Sequence, residues 1–330
     1  MMHLSSGIPT RDDLARLLGS AQYRRHTDYA RDFLARHNDA LAGYGKHWGA
    51  DPFGLWSRRW EYPYAIESVL AYAERRGTSG PLKLLDAGSG VTFFPYLVCD
   101  RVPDASAVCV DSDATYPPMF AAINKQQGHD RVQFVQASLQ AMPVEAASVD
   151  VVACISVLEH TDRYDDILAE FARVLKPGGL LVLTFDLSLD GKFTLSRPQA
   201  QRLLAKVAEL FDADEAKLLN QLSAMDEPDA ILTTQFVKQT NPELLPWRWP
   251  WIKGVHDLLH GHGWTGGFRS KSVFCLNATA RSRNDAGTPG RAGQTSAGGQ
   301  AGAFRAGSEA GAAGHGAAQV GATGRAPGSS

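Results

Sequence analysis

Short apolar runs separated by amphipathic stretches fill the middle of the chain. Leu82–Leu85, Ala105–Val110, Val132–Ala137, Val149–Ile155 and Leu180–Phe185 read as strands, most of them apolar enough to be buried on both faces of a parallel sheet. Between them Phe93–Val98 reads as a helix. Ile167, Phe171, Val174 and Leu175 form a second helical stripe, stopped by the Pro/Gly turn Lys176-Pro177-Gly178-Gly179. Ser272–Ala278 is predicted to be a closing strand, with no obvious partner in the sequence.

The flanks pattern differently. Residues 1–79 read as a helical cap: a short amphipathic piece at Asp12–Leu18, a one-sided stripe from Gln22 to about Leu41, and a helix over Ala65–Ala73 ended by Gly77. Trp48, Phe53, Trp56, Trp60, Tyr62 and Tyr64 crowd this region. They suit either an anchor for the cap or the wall of a substrate pocket. After the fifth strand, Ser196–Phe211 reads as a helix. Ile231–Val237 fits strand or helix, because Thr233 and Thr234 can cap one or sit in the other. Pro246-Trp247-Arg248-Trp249-Pro250-Trp251 fits a packed loop, a stacking surface for a sugar or aromatic substrate, or an interfacial membrane anchor, and Trp251–Leu259 reads as a helix. From about residue 280 the chain is mostly Gly, Ala, Ser and Arg, which cannot bury enough surface to offset ordering entropy. The expected organisation is a cap over 1–79, a main domain over 80–279 with an insertion around 190–250, and a disordered tail over 280–330.

Composition narrows the function. With 330 residues and 44% hydrophobic content, a sizeable core is available. A net charge of −2 supplies no global field for nucleic acid. No apolar run reaches the length of about 20 residues needed to span a bilayer, so membrane contact is expected to be peripheral at most. Cys99, Cys109, Cys154 and Cys275 show no C-x-x-C spacing and sit mainly in apolar patterns, so buried thiols in a cytoplasmic protein are expected rather than disulfides or metal ligands. Residues 1–13 carry no apolar leader core.

The chemistry starts at Asp86-Ala87-Gly88-Ser89-Gly90, where the first strand enters a tight turn before a helix. Glycines there allow positive φ and close backbone approach to a ligand, and the helix N-terminus favours a carboxylate or phosphate. A dinucleotide fingerprint needs a third glycine where this chain has Phe93, which would obstruct close helix–strand packing. The order of an acid, then glycines at the second and fourth following positions, instead resembles motif I of class I S-adenosylmethionine-dependent methyltransferases, with Thr92 in place of the last glycine. Further matches follow in order. Asp111 ends the second strand, Ser138 to Met142-Pro143 follows the third, and Leu158-Glu159-His160 follows the fourth. Leu175-Lys176-Pro177-Gly178-Gly179 then precedes the fifth. The combination is similar to the branch that contains ubiquinone-biosynthesis and many sugar and natural-product methyltransferases.

The resemblance implies an α/β fold with a doubly wound, mostly parallel seven-stranded sheet, and S-adenosyl-L-methionine as cofactor. It implies that the Asp86, Ala87, Gly88 and Gly90 turn holds the methionine part, Asp111 the ribose, Ser138 and Leu139 the adenine, and backbone near Ile155 the ammonium. The family's usual acid beside adenine is Ser138 here. His160 is a candidate base or a residue that only packs against the cofactor, and Asp186 is a second candidate base or substrate anchor. The expected partner is a small-molecule acceptor, a glycan, lipid-linked sugar or natural-product hydroxyl, rather than nucleic acid. The remaining alternatives are a nicotinamide oxidoreductase and a non-catalytic cofactor-binding scaffold.

Overall fold

A computed structural model describes residues 4–44, 51–77, 80–245, 255, 258–259 and 269–281. These residues belong to one compact unit. The Trp247–Trp251 stretch and the tail beyond 281 lie outside the described residues, as does nearly all of the expected helix Trp251–Leu259.

The apolar runs form a seven-stranded sheet in the order β3-β2-β1-β4-β5-β7-β6. Its strands are β1 (Lys83–Ala87), β2 (Ser106–Asp111), β3 (Val132–Gln136), β4 (Val149–Ile155), β5 (Leu175–Ser188), β6 (Phe211–Asp212) and β7 (Lys271–Ala280). β1 to β5 run parallel and β7 runs antiparallel to β5. Both faces are covered because neighbouring strand residues point to opposite sides. Leu84, Val151 and Val182 enter one core, whereas Leu85, Val152 and Leu183 enter the other. This is a doubly wound α/β fold, and a strand order that reverses beside β1 opens a crevice at the strand carboxyl ends.

Among the described residues, the α-helices before β1 are α1 (Arg11–Leu18), α2 (Ala21–Arg36) and α3 (Arg58–Arg76), and those between β1 and β3 are α4 (Phe94–Arg101) and α5 (Pro117–Gln127). Thr10 and Asp13 form a reciprocal cap at the start of α1, and Gly77 ends α3 at φ +63. Of the predicted aromatic cluster, Trp60, Tyr62 and Tyr64 belong to α3, which packs against β4, β5 and β7, Phe53 and Trp56 precede it, and Trp48 lies outside the described residues. α2 ends at Arg36, short of the predicted Leu41. His37 is fully buried there, and its ring nitrogens bond Gln126 and Gln127 at the end of α5. A tertiary contact therefore outweighs the continuing apolar stripe.

On the second face lie α6 (Tyr164–Val174), α7 (Arg197–Leu210) and α8 (Glu215–Leu222), with α9 (Thr234–Thr240) further along the chain. The Pro/Gly turn predicted at Lys176–Gly179 is taken into β5 as a bulge: Val149 pairs with Leu175 and Val151 already with Leu180. The ambiguity at Ile231–Val237 resolves into a single bridge from Ile231 to Thr10 and then a helix, because the Thr233 side chain accepts the Phe236 N–H. The missing partner of the closing strand is β6, only two residues long and paired with Thr279 and Ala280. So short a strand has no pattern of its own to read. All four cysteines are free and buried. No helix among the described residues is long and apolar enough to cross a membrane.

Candidate functional site

The crevice is built from the loops that leave β1, β2, β3 and β4. At the end of β1, Gly88 takes φ +70 and Gly90 φ +53. The Gly88 and Ser89 N–H groups donate to the Val110 carbonyl at 2.8 and 3.2 Å, which ties the turn to the end of β2. Gly90 N–H donates to Asp111 Oδ2 at 3.0 Å and Asp113 N–H to Asp111 Oδ1 at 3.2 Å. Each Asp111 oxygen therefore has one backbone donor and a lone pair to spare. Thr92, where the family pattern has glycine, is buried and hydrogen-bonded to Tyr62. Phe93, at the third position of a dinucleotide fingerprint, is buried with its ring centroid 5.1 Å from that of Tyr62 and 5.6 Å from that of Phe53. A third glycine's role in close helix–strand packing is thus absent.

Gly88, Asp111, Ser138, Leu139 and His160 line a cavity of about 500 Å³, a size that suits a drug-sized ligand. Asp86 and Ile155 line a much narrower cleft of about 10 Å³, and Arg58 and Gly88 border both spaces. Ala87 is enclosed in the sheet, where it pairs with Val110. Ser138 is exposed, and its hydroxyl accepts the Gln140 N–H at 3.3 Å. The groups present fit a nucleoside with an amino-acid tail. The crevice ends in a carboxylate with open lone pairs, and the glycine turn leaves no room for a side chain: a Cβ on Gly88 would lie 2.5 Å from Val157 Cγ2.

Among known proteins, the family model described as "Methyltransferase domain" matches residues 85–183. Residues 85–183 thus carry a methyltransferase domain. Over 135 residues it is 33% identical to the ubiquinone/menaquinone biosynthesis C-methyltransferase UbiE of Syntrophotalea carbinolica, which covers 40% of this chain and 52% of that protein. Over 110 residues it is 30% identical to the demethylmenaquinone methyltransferase of Lactococcus lactis, covering 33% and 44% respectively. The chain thus spans about half the length of these curated relatives. A solved structure of geranyl diphosphate methyltransferase with GPP and sinefungin aligns over 84% of this chain and 89% of that chain, at 16% identity and a TM-score of 0.43.

Where the start of α3 meets the sheet lies a buried cluster of charges that the sequence reading missed. Arg58 and Glu61, at the start of α3, pair at 2.6 Å, and Glu61 has no exposed surface. Burial opposes the Arg58 charge, but Glu61, Tyr62, Asp186 and Glu159 outweigh it and hold its pKa above the ordinary value. Asp186 Oδ2 accepts Lys271 Nζ at 2.6 Å, while its Oδ1 is buried without a partner. Burial, then Asp186 and Glu61, push the Glu159 carboxyl up, and its Oε2 is likewise buried and unpaired. His160 stands on the crevice rim in a single turn of 3₁₀ helix, Leu158–His160. Surrounding protein lowers its pKa. Lys271, Arg58 and Arg269 lower it further, and Asp186 partly opposes them. The available signal was the pair Arg58 and Glu61, charges three apart within an aromatic-rich helix, which is an unusual place to bury both. Among the described residues no cluster of His, Cys, Asp and Glu suits a metal ion.

Replacing Asp111 with alanine should weaken S-adenosylhomocysteine binding about ten- to a hundredfold, since hydroxyl bonds to a charged acceptor contribute roughly 1.5–3 kcal/mol each. Calorimetry on a variant with unchanged melting would check this, and equal affinity would remove Asp111 from the site.

Proposed function

We propose that this protein transfers the methyl group of S-adenosylmethionine to a hydroxyl of a small-molecule acceptor such as a glycan, lipid-linked sugar or natural product. The observation that carries this reading is the open Asp111 carboxylate, anchored to the glycine turn, in a crevice whose rim holds a histidine of lowered pKa. The sulfonium supplies an electrophilic methyl group, so the chain's task is alignment, water exclusion and removal of the acceptor proton. The Gly88 turn and Asp86 would hold the methionine end, Asp111 the ribose, and Ser138 with Leu139 the adenine. His160, neutral near pH 7, would take the acceptor proton on its imidazole. Asp186 would orient the acceptor, because Lys271 already occupies its Oδ2.

The relative named a ubiquinone/menaquinone biosynthesis C-methyltransferase supports a second reading, in which a carbon is the acceptor. A carbon acceptor also sheds a proton, so His160 would serve either. Incubation with methyl-labelled cofactor and a cell extract, followed by identification of the product, separates the two. Failure to bind either S-adenosylmethionine or its demethylated product would overturn both.

Asp86 offers a check that needs no acceptor. Its burial, and then the Asp111 carboxylate, push its pKa up to about 8, so it is mostly protonated at pH 7. A cofactor ammonium beside it favours the ionised form and lowers that pKa. The complex then holds fewer protons, so binding should release close to one proton at pH 7 and tighten as pH rises from about 6 to 7.5. Calorimetry in buffers of different ionisation enthalpy measures this directly. An identical heat in all buffers would show that Asp86 does not face the ammonium.

A further inference from the structure

The cofactor crevice leans on an acid that lies outside its sequence motifs. Glu61, fully buried on α3, receives Arg58 Nη1 on Oε2 at 2.6 Å. Its Oε1 accepts the Ser156 hydroxyl at 2.5 Å and the Thr184 hydroxyl at 2.7 Å. Thr184 Oγ1 in turn accepts the Ser156 N–H at 3.1 Å, and the Thr184 carbonyl shares that N–H at 3.0 Å. Ser156 is thus held by its main chain and its side chain at once. Both lead to one carboxylate oxygen.

What is held is an unfavoured conformation. Ser156 takes φ +51, where residues with a Cβ are uncommon and glycine is at ease. Nothing local calls for it: Ile155-Ser156-Val157 contains no glycine or asparagine. The consequence lies downstream. Val157 puts its methyl groups within 2.5 and 2.9 Å of where a Cβ on Gly88 would sit, and His160 follows three residues later on the rim. The direction in which the chain turns at Ser156 therefore sets the wall of the crevice opposite the glycine turn.

We propose that Glu61 is a positioning residue for the cofactor site, holding Ser156 in its left-handed conformation and thereby fixing the Ser156–His160 loop against the Gly88 turn. This rests on the crevice being the S-adenosylmethionine site. A neutral isostere cannot replace it. Two hydroxyl donors and a guanidinium converge on this carboxylate, and an amide would turn its own N–H groups toward one of them.

Glu61→Gln should weaken S-adenosylhomocysteine binding on the order of ten- to a hundredfold, as expected for loss of hydrogen bonds to a charged group. Adding Ser156→Gly to that variant should restore most of the affinity, because glycine adopts the required φ without help. A role confined to docking the cap would give no such rescue. If Glu61→Gln does not fold, Thr184→Val cuts the same link while leaving the Arg58–Glu61 pair in place, and the glycine should rescue it in the same way. Calorimetric affinities decide the matter. Wild-type affinity in the single variant, or a double variant that binds no more tightly than the single one, would overturn the role of Glu61. A wild-type protein that does not bind S-adenosylhomocysteine would instead overturn the cofactor reading and this proposal with it.

Discussion

Gly88→Val should abolish detectable binding of S-adenosylmethionine and S-adenosylhomocysteine. Two independent effects act at this position. At φ +70, a β-branched side chain is a conformational outlier. The first carbon of that side chain would also lie 2.5 Å from Val157 Cγ2, well inside contact distance. Relief requires either that Val157 move into the crevice or that the turn move away from it. The second choice strains the Gly88–Val110 and Gly90–Asp111 hydrogen bonds that place the Asp111 carboxylate. Strain and crowding together should also cost about 2–4 kcal/mol of stability, visible as a lowered melting temperature. The informative comparison is Gly128→Val, equally left-handed at φ +72 but with nothing within 4 Å of its Cβ. It should share the strain and keep the ligand. Normal cofactor affinity in Gly88→Val would show that the turn is only structural.

His160→Gln should leave cofactor affinity nearly unchanged while turnover falls about 10²–10⁴-fold, the usual contribution of a general base. The sign of the pH dependence follows from the site. A base must be unprotonated to act, so the rate falls as pH drops through the pKa of His160. That pKa is lowered from 6.5, mainly by the protein around the imidazole and further by Lys271, Arg58 and Arg269. At saturating cofactor, the acid limb of kcat/KM for the acceptor should therefore lie below pH 6.5 in the wild type and vanish in the glutamine variant. Asp186 acts in the other direction, raising the pKa. Asp186→Asn should move the limb to still lower pH without removing it. If His160 only packs against the cofactor, affinity and turnover fall together and the limb persists. Full activity of His160→Gln with the true acceptor would remove it from the mechanism.

What was legible in the sequence was whatever depends on local pattern. Each apolar run of the parallel sheet became a strand because its spacing already matches a surface buried on both faces. The residues that touch the crevice lie at or just beyond strand ends: Asp86, Gly88, Asp111 and His160 were named because short motifs there resemble those of a known family. Elements that depend on a distant partner were harder to read. The end of α2 is set by Gln126 and Gln127 receiving His37, and β6 exists only because Ala280 and Thr279 run beside it.

The same division runs through the candidate site. The sequence by itself determined that a strand–turn–helix would place two glycines and an acid in one turn, since those residues act through their own backbone geometry. Only the tertiary structure decided what holds the opposite wall. Glu61, Ser156 and Thr184 come from α3, the loop after β4 and the body of β5, far apart in the chain, and no periodicity links them. Their relation is a charge brought out of water, where an acid must collect donors from whatever the fold places beside it. Asp186 shows the same limit: the sequence marks a strand-end acid, but its ion pair with Lys271 exists only because β7 returns antiparallel along β5.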